Sequence, residues 1–455
     1  MTRVLALDIG TSSVRGRVYD GDGEPLEGVE AQTKYELTHG HGGRAEFDAD
    51  YLVEATIAAL DEARREAGGG VDAVCASCFW HSLVPVDRRG RAAGPLLTWR
   101  DTRSSEHARR LAKRVDAEAV HRRTGCVLHP SYWPAKLAWL AEMEPERFRS
   151  AERFLSFADY LYLHLVGEAP TSLSMASGTG LLDVHSRTWD GELLDALGLE
   201  AERLAPVSDD PLGDDEPWFP ALGDGACSNV GAGCTTHGRA ALMIGTSGAY
   251  RTVFTAERAE ARPGLFLYRL DRDRFVEGGS LSDGGNLYAW VSTTLRLPDG
   301  PRAATAPDAH GLTFLTLLGG ERSPGWHGDA RGAIAGLTFD TTPADLVQAA
   351  LEGVAYRFAE IADLMPEVRE VIATGRALLA DHAWVQILAD VLERPIAVSA
   401  VEEASARGAA VVALERIGAT PAPVALGPLF EPREEHFGTY RAARERQREL
   451  YRSAT

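Results

Sequence analysis

IGTSSVRGRVY at residues 9–19 returns as IGTSGAYRTVF at residues 244–254, with five of the eleven positions identical and Tyr19 opposite Phe254. Each copy reads as strand, G-T-S turn, strand. In the first copy the entering strand is the aliphatic run Arg3–Ile9, and the leaving segment Val14–Tyr19 alternates before a D-G-D-G hairpin signal at residues 20–23. No helix follows the first strand. That disfavours a dinucleotide-binding βαβ unit and a P-loop, which both hold phosphate at a helix N-terminus. A repeat at so long a spacing predicts two related domains rather than a solenoid.

The rest of the chain fits that division. Its 455 residues exceed one compact core, and the expected domains are residues 1–238 and 239–432, with a charged helical tail at 433–455. The acidic, proline-bearing stretch Ser208–Pro220 reads as a loop near the boundary. Helical periodicity marks Tyr51–Glu66, Ser105–Val115, Pro134–Glu142 and Ala158–Leu165. In the second half Leu346, Ala350, Val354, Phe358, Ile361 and Met365 form one apolar face, and Trp384, Ile387, Leu388, Val391 and Leu392 another. Strands alternating with helices make the class α/β.

Composition narrows the function. The formal net charge is −19 and no basic face stands out, which argues against nucleic acid as partner. No apolar run approaches a membrane span, and MTRVLALDIG lacks a signal-peptide pattern, so a cytoplasmic protein without membrane partners is expected. Cys75 and Cys78 form a C-x-x-C inside VDAVCASCFW, which reads as a buried strand rather than a redox pair or zinc site.

The two G-T-S turns offer backbone N–H and hydroxyl donors to an anion, and glycine lets it approach closely. Alone, each is also an ordinary hairpin; one per domain favours a grip on nucleotide phosphates across a cleft. Asp8, ending the first strand, is placed to hold Mg²⁺ through water, and Arg15 to reach a phosphate oxygen. GDGACSNVGAG at 223–233 puts Asp224 between glycines at an expected strand-to-helix junction, with room for a substrate hydroxyl. A sugar acid would need local cations, for which Arg100, Arg103 and His81 are candidates; for Arg103 an ion pair at a helix start is the other reading.

These motifs resemble the FGGY family of carbohydrate kinases, a branch of the actin-like ATPase superfamily, over nearly the whole chain. DIGTSSVR at 8–15 and IGTSG at 244–248 look like its two phosphate motifs, and GAIAGLTFDTTPADLVQAALE at 332–352 fits its C-terminal signature. The resemblance implies two actin-like (ribonuclease H-like) domains with an ATP and substrate cleft between them. It implies Asp224 as the catalytic base and Asp8 with Asp224 at Mg²⁺. Gly10, Thr11, Ser12, Ser13, Arg15, Gly245, Thr246 and Ser247 fall at the phosphates. Gly375 and Arg376, in ATGRALLADHAWVQILAD at 373–390, fall on the adenine side.

WHSLVPVDRRGRAAGPLLTWRDTRS at 80–104, SMASGTGLLDVHSRTWD at 174–190 and LTFLTLLGGERSPGW at 312–326 resemble the gluconate kinase branch. The resemblance implies His81, Asp101 and Arg103 in the substrate pocket, and Trp80, Arg100, His129 and Tyr132 are further candidates for it. Trp80 replaces the branch's usual Met, Arg100 its Ala, Tyr132-Trp133 its Met-Ser-Pro type run, and Arg376 a glycine. The expected reaction is transfer of the ATP γ-phosphate to a small sugar or sugar acid, D-gluconate to 6-phosphogluconate. A xylulokinase-like pentulose or polyol kinase is the alternative within the family, and a non-catalytic actin-like sensor the alternative outside it. A homodimer stays open.

Overall fold

The computed structural model of the chain describes residues 2–213, 216–295 and 306–455. Asp214 and Asp215, within the expected acidic loop, lie outside the described residues.

Strand β1 (Arg3–Ile9), buried through Val4–Leu7, turns at Gly10–Ser12 into β2 (Ser13–Asp20). The Gly10 N–H closes this turn on the Ser13 carbonyl at 3.0 Å, setting Asp8 against Arg15 and Ile9 against Val14. β3 (Pro25–Lys34) returns antiparallel to β2 after the D-G-D-G turn. Helix α1 (Ala49–Ala67) starts where the Asp48 carboxylate accepts the Asp50 and Tyr51 N–H groups and stops at left-handed Gly68. β4 (Ala73–Cys78), buried throughout, runs parallel to β1, and β5 (Leu222–Gly223) parallel to β4. The sheet order is β5-β4-β1-β2-β3.

The second sheet repeats that plan. β6 (Arg239–Ile244) turns through residues 245–247 into antiparallel β7 (Gly248–Thr255). Strands β8 (Phe266–Arg269) and β9 (Arg274–Leu281) continue the antiparallel side, while β10 (Glu370–Thr374) and β11 (Ile396–Ser399) pair parallel beyond β6. With β12 (Leu426–Phe430) at the far edge, the order is β8-β9-β7-β6-β10-β11-β12. Five strands therefore recur with the same order and directions, and the two G-T-S turns occupy equivalent places.

The expected helices form with small shifts at their ends. Those that bear on the site are α2 (Ser105–Ala112), α3 (Trp133–Met143), α4 (Asp224–Gly231) and α5 (Pro343–Asp363), the last opened by a Thr342/Asp345 capping box. Helix α6 (Ala404–Arg416) comes from the second half yet packs on the first sheet, where Ala406, Ala409, Ala410 and Leu414 join the core of β1 and β4. It crosses α4 at Gly231 and Gly408: a Cβ on Gly408 would lie 1.8 Å from the Cys227 carbonyl oxygen. The tail helix α7 (Glu434–Ala454) does not stand free in solvent. Tyr440 and Ala443 enter the second core, and the Gln447 amide donates to the Phe314 and Gly353 carbonyls at 2.7 and 3.1 Å. Its narrow apolar stripe is hidden among arginines and glutamates. The five cysteines are buried free thiols, and burial raises the pKa of Cys75 and Cys78.

Candidate active site

Both turns and the β5–α4 junction open on one cavity of about 210 Å³. Gly10 and Thr11 reach it from the first sheet, Thr246 and Ser247 from the second, and Asp224 stands between them. The second turn is braced from behind: Gly245 N–H donates to the Ser247 carbonyl at 3.0 Å, while the N–H groups of Gly285 and Asn286 donate to the Gly245 and Thr246 carbonyls at 2.9 and 3.0 Å. Gly375, with φ 85°, backs the same turn, since a Cβ there would come 2.5 Å from the Ile244 carbonyl oxygen.

Asp224 opens α4 and accepts the Gly225 N–H at 2.7 Å. Burial raises its carboxyl above the ordinary range, against the pull of Arg251. Asp8 lies behind, with Oδ1 accepting the Ser77 hydroxyl at 3.0 Å. Burial, reinforced by the charges of Glu403 and Asp224, pushes Asp8 up to about 7.

Trp80 walls the cavity. Its indole N–H donates to the Ser174 carbonyl at 3.0 Å, and Gly178, Gly223 and Gly225 leave no room for a Cβ against its ring. The ring stands edge-on to Tyr268 at 5.0 Å, and the Tyr268 hydroxyl shares a 2.6 Å hydrogen bond with that of Tyr132. His81 takes the left-handed conformation, φ 68°, with Nδ1 hydrogen-bonded to the Gly178 carbonyl. Burial and the Arg322 charge hold its pKa well below the ordinary value, so it is neutral and supplies no charge to an anion.

The cavity also holds two buried guanidinium groups that the motifs did not single out, Arg251 and Arg322. Arg251 Nε and Nη2 and Arg322 Nε make no hydrogen bond among the described residues, and burial pulls Arg251 down to about 10. Buried guanidinium N–H groups without hydrogen-bond partners are costly unless an anion joins them.

The family models for the FGGY family of carbohydrate kinases match here: its N-terminal domain over residues 3–210 and its C-terminal domain over residues 240–415. The chain belongs to this family. It is an ATP-dependent carbohydrate kinase acting on a small-molecule sugar. Relatives of this FGGY kinase include a gluconokinase of Bacillus subtilis, 26% identical over 91% of this chain and 88% of its own. A glycerol kinase of Leptothrix cholodnii is 30% identical over 91% and 90%. The solved xylulose kinase of Lactobacillus acidophilus superposes with a TM-score of 0.90 at 24% identity, covering 100% of this chain and 98% of that one, and shares the fold. No helix among the described residues is long and apolar enough to cross a membrane.

The remaining expected residues of the FGGY kinase scatter around the cavity. Ser13 is buried as the first residue of β2, while Ser12 is exposed at the turn. Arg15 pairs with Glu403 at 3.5 Å. Arg376 is exposed at the head of the short helix Arg376–Ala380. Arg103 turns away from Asp224: its guanidinium grips Asp101 at 2.6–3.0 Å and Glu46 at 2.7 Å, over the Trp139 ring. Asp101 is spent on that pair and on the Ala45 N–H at 3.1 Å. The helix-start ion pair is thus what forms, and neither residue lines the Asp224 cavity. Arg100 and His129 line a wider adjoining cavity, and His129, pushed down to about 3 by burial, is neutral.

Proposed function

We propose that this kinase phosphorylates a primary hydroxyl of a sugar acid, with D-gluconate as acceptor and 6-phosphogluconate as product. The supporting observation is the pair Arg251 and Arg322, buried beside Asp224 with N–H atoms that make no hydrogen bond among the described residues. An acceptor carboxylate would satisfy them, and charge-assisted bonds of this kind are about twice as strong as neutral ones. In this reading they take the part first expected of Arg100, Arg103 and His81.

In this reading Asp224 accepts the hydroxyl proton as the acceptor oxygen attacks the γ-phosphorus, a contribution of roughly 10²–10⁴ in rate. The Thr11, Thr246 and Ser247 hydroxyls and the turn amides hold phosphoryl oxygens. The residues fit a divalent cation at Asp8, because Asp8, Asp224 and Glu403 repel one another at a buried position. Mg²⁺ bound there would supply neutralisation of triphosphate charge. The cavity is built from one chain, and a cytoplasmic location accords with the use of ATP.

The test is coupled ADP release with Mg·ATP across D-gluconate, D-xylulose and glycerol. Turnover of D-gluconate in preference to the neutral compounds is the expected result. Turnover of D-xylulose or glycerol alone replaces the sugar acid with a neutral acceptor, the reading that the glycerol kinase relative favours.

A further inference from the structure

Beside the catalytic cavity lies one of about 630 Å³, and Trp99 and Arg322 line both. The inner space of about 210 Å³ is below the roughly 300–1,000 Å³ usual for small-molecule sites; inner and outer spaces together reach it.

The outer wall is unevenly charged. Its acids are matched: Glu321 pairs with Arg357 and accepts the Tyr451 hydroxyl at 2.8 Å, and Asp329 holds Arg109 at 2.6 Å. Arg44, on the same wall, pairs with Glu46. Three other arginines of this wall pair with no acid among the described residues. Arg100 and Arg322 lie over the Trp99 ring, 5.7 and 5.1 Å from its centre, and neither guanidinium makes a hydrogen bond or ion pair among the described residues. Among the described residues Arg331 donates only to the backbone carbonyls of Asp329 and Ala330, at 2.8 and 3.0 Å. Asp283, the acid whose charge reaches Arg100, spends its oxygens on the Gly319 N–H at 3.1 Å and the Asn286 amide at 3.4 Å. In a chain of net charge −19, such uncompensated cations on one wall create a local attraction for anions.

We infer that the acceptor extends past Trp99 and that its remote end carries an anion, carboxylate or phosphate, bound in the outer cavity by Arg100 and Arg331. This rests on the sugar-acid kinase reading and deepens it: a six-carbon acid occupies the inner space, and a longer or phosphorylated acceptor also reaches the outer one. Guanidinium groups suit either anion because their paired donors match its oxygens.

The experiment compares D-gluconate, lactobionate and mannitol 1-phosphate, with D-xylulose as neutral reference, on the wild type, Arg100→Ala and Arg100→Lys. Lactobionate carries its carboxylate one hexose unit from a primary hydroxyl; mannitol 1-phosphate carries a phosphate at the end opposite its free one. In the wild type at least one of these two should exceed D-gluconate in kcat/KM, and which one does separates carboxylate from phosphate. Arg100→Ala should cut the preference for that compound over D-xylulose at least tenfold, through KM, and Arg100→Lys should restore part of it. A preference that survives Arg100→Ala overturns the inference, as does D-gluconate outrunning both longer anions.

Calorimetric titration keeps the two readings apart. Arg100-dependent binding of lactobionate or mannitol 1-phosphate without turnover of any acid retains the outer site and removes the sugar-acid reaction. Turnover of D-gluconate with no binding of either longer anion retains the reaction and removes the outer site.

Discussion

The Lys136 ammonium donates to the His81 carbonyl at 2.6 Å, and through a second bond of 2.8 Å to the Ser131 carbonyl it ties the Trp80–His81 wall to the loop that carries His129 and Tyr132. Lys136 is almost fully buried, and desolvation brings it down from 10.5 to about 7. The folded chain therefore binds fewer protons here than the unfolded chain between about pH 7 and pH 10. The stability penalty is full below pH 7 and is relieved as pH rises through that window. Thermal melts from pH 7 to 9.5 should show a rise in Tm that Lys136→Met lacks. The same variant should raise the acceptor KM by about tenfold or more while changing the ATP KM little, because the left-handed His81 loses its anchor.

Asp224→Asn should keep its fold and nucleotide binding yet lose roughly 10²–10⁴ in kcat, the contribution of a positioned base. Turnover by coupled assay and nucleotide binding by fluorescence titration, read together, check this. Near-normal turnover would remove Asp224 from the chemistry.

Asp8 gives a pH signature of opposite sign to that of Lys136. Its carboxyl, raised from 3.8 to about 7, is protonated in the folded chain at pH values where the unfolded chain is ionised. As far as Asp8 is concerned, stability without ligand is therefore highest below pH 4 and falls as pH rises towards 7. Asp8→Asn should raise the Tm of the ligand-free protein at pH 8 by a few degrees, while Mg·ATP binding falls. In the wild type Mg·ATP should bind about tenfold more weakly for each pH unit below 7, because a cation site needs the carboxylate.

Arg103→Ala tests the ion pair against a substrate role. It leaves Asp101, exposed by only 2%, without its cation, while Glu46 keeps Arg44. The expected loss is about 3 kcal/mol of stability, read by urea unfolding. A large rise in acceptor KM with unchanged stability would return Arg103 to the pocket.

Gly408→Ala should destabilise by more than about 2 kcal/mol, since its Cβ would meet the Cys227 carbonyl at 1.8 Å and the crossing helices would have to separate. A matched exposed change, Gly438→Ala, has open space around it and should be nearly neutral or slightly stabilising.

Much of the site was legible because its chemistry is local in sequence. Each G-T-S turn is one hairpin, and Asp224 announces itself by flanking glycines, which the structure explains by the Trp80 ring pressed against Gly223 and Gly225. Arg251 sits inside the second turn motif, yet its neighbours there read as strand filler. Its position at the cavity follows from β7 lying beside α4, where the Asn229 amide donates to the Arg251 carbonyl at 2.7 Å. Arg322 lies in a loop with no periodicity to reveal which way it faces. Asp101 and Arg103 misled because a carboxylate and a guanidinium two residues apart look the same in sequence whether they hold a ligand or each other.

Helix α6 has a consequence for how the chain acquires its structure. Ala406, Ala409, Ala410 and Leu414 complete the core under β1 and β4, so during synthesis the first half emerges with an open apolar face. That face is covered only once residues 404–416 have left the ribosome. The two halves, for all their repeated sheets, mature as one cooperative body, and a fragment ending at residue 238 should be captured by chaperones or aggregate until the missing helix is supplied in trans.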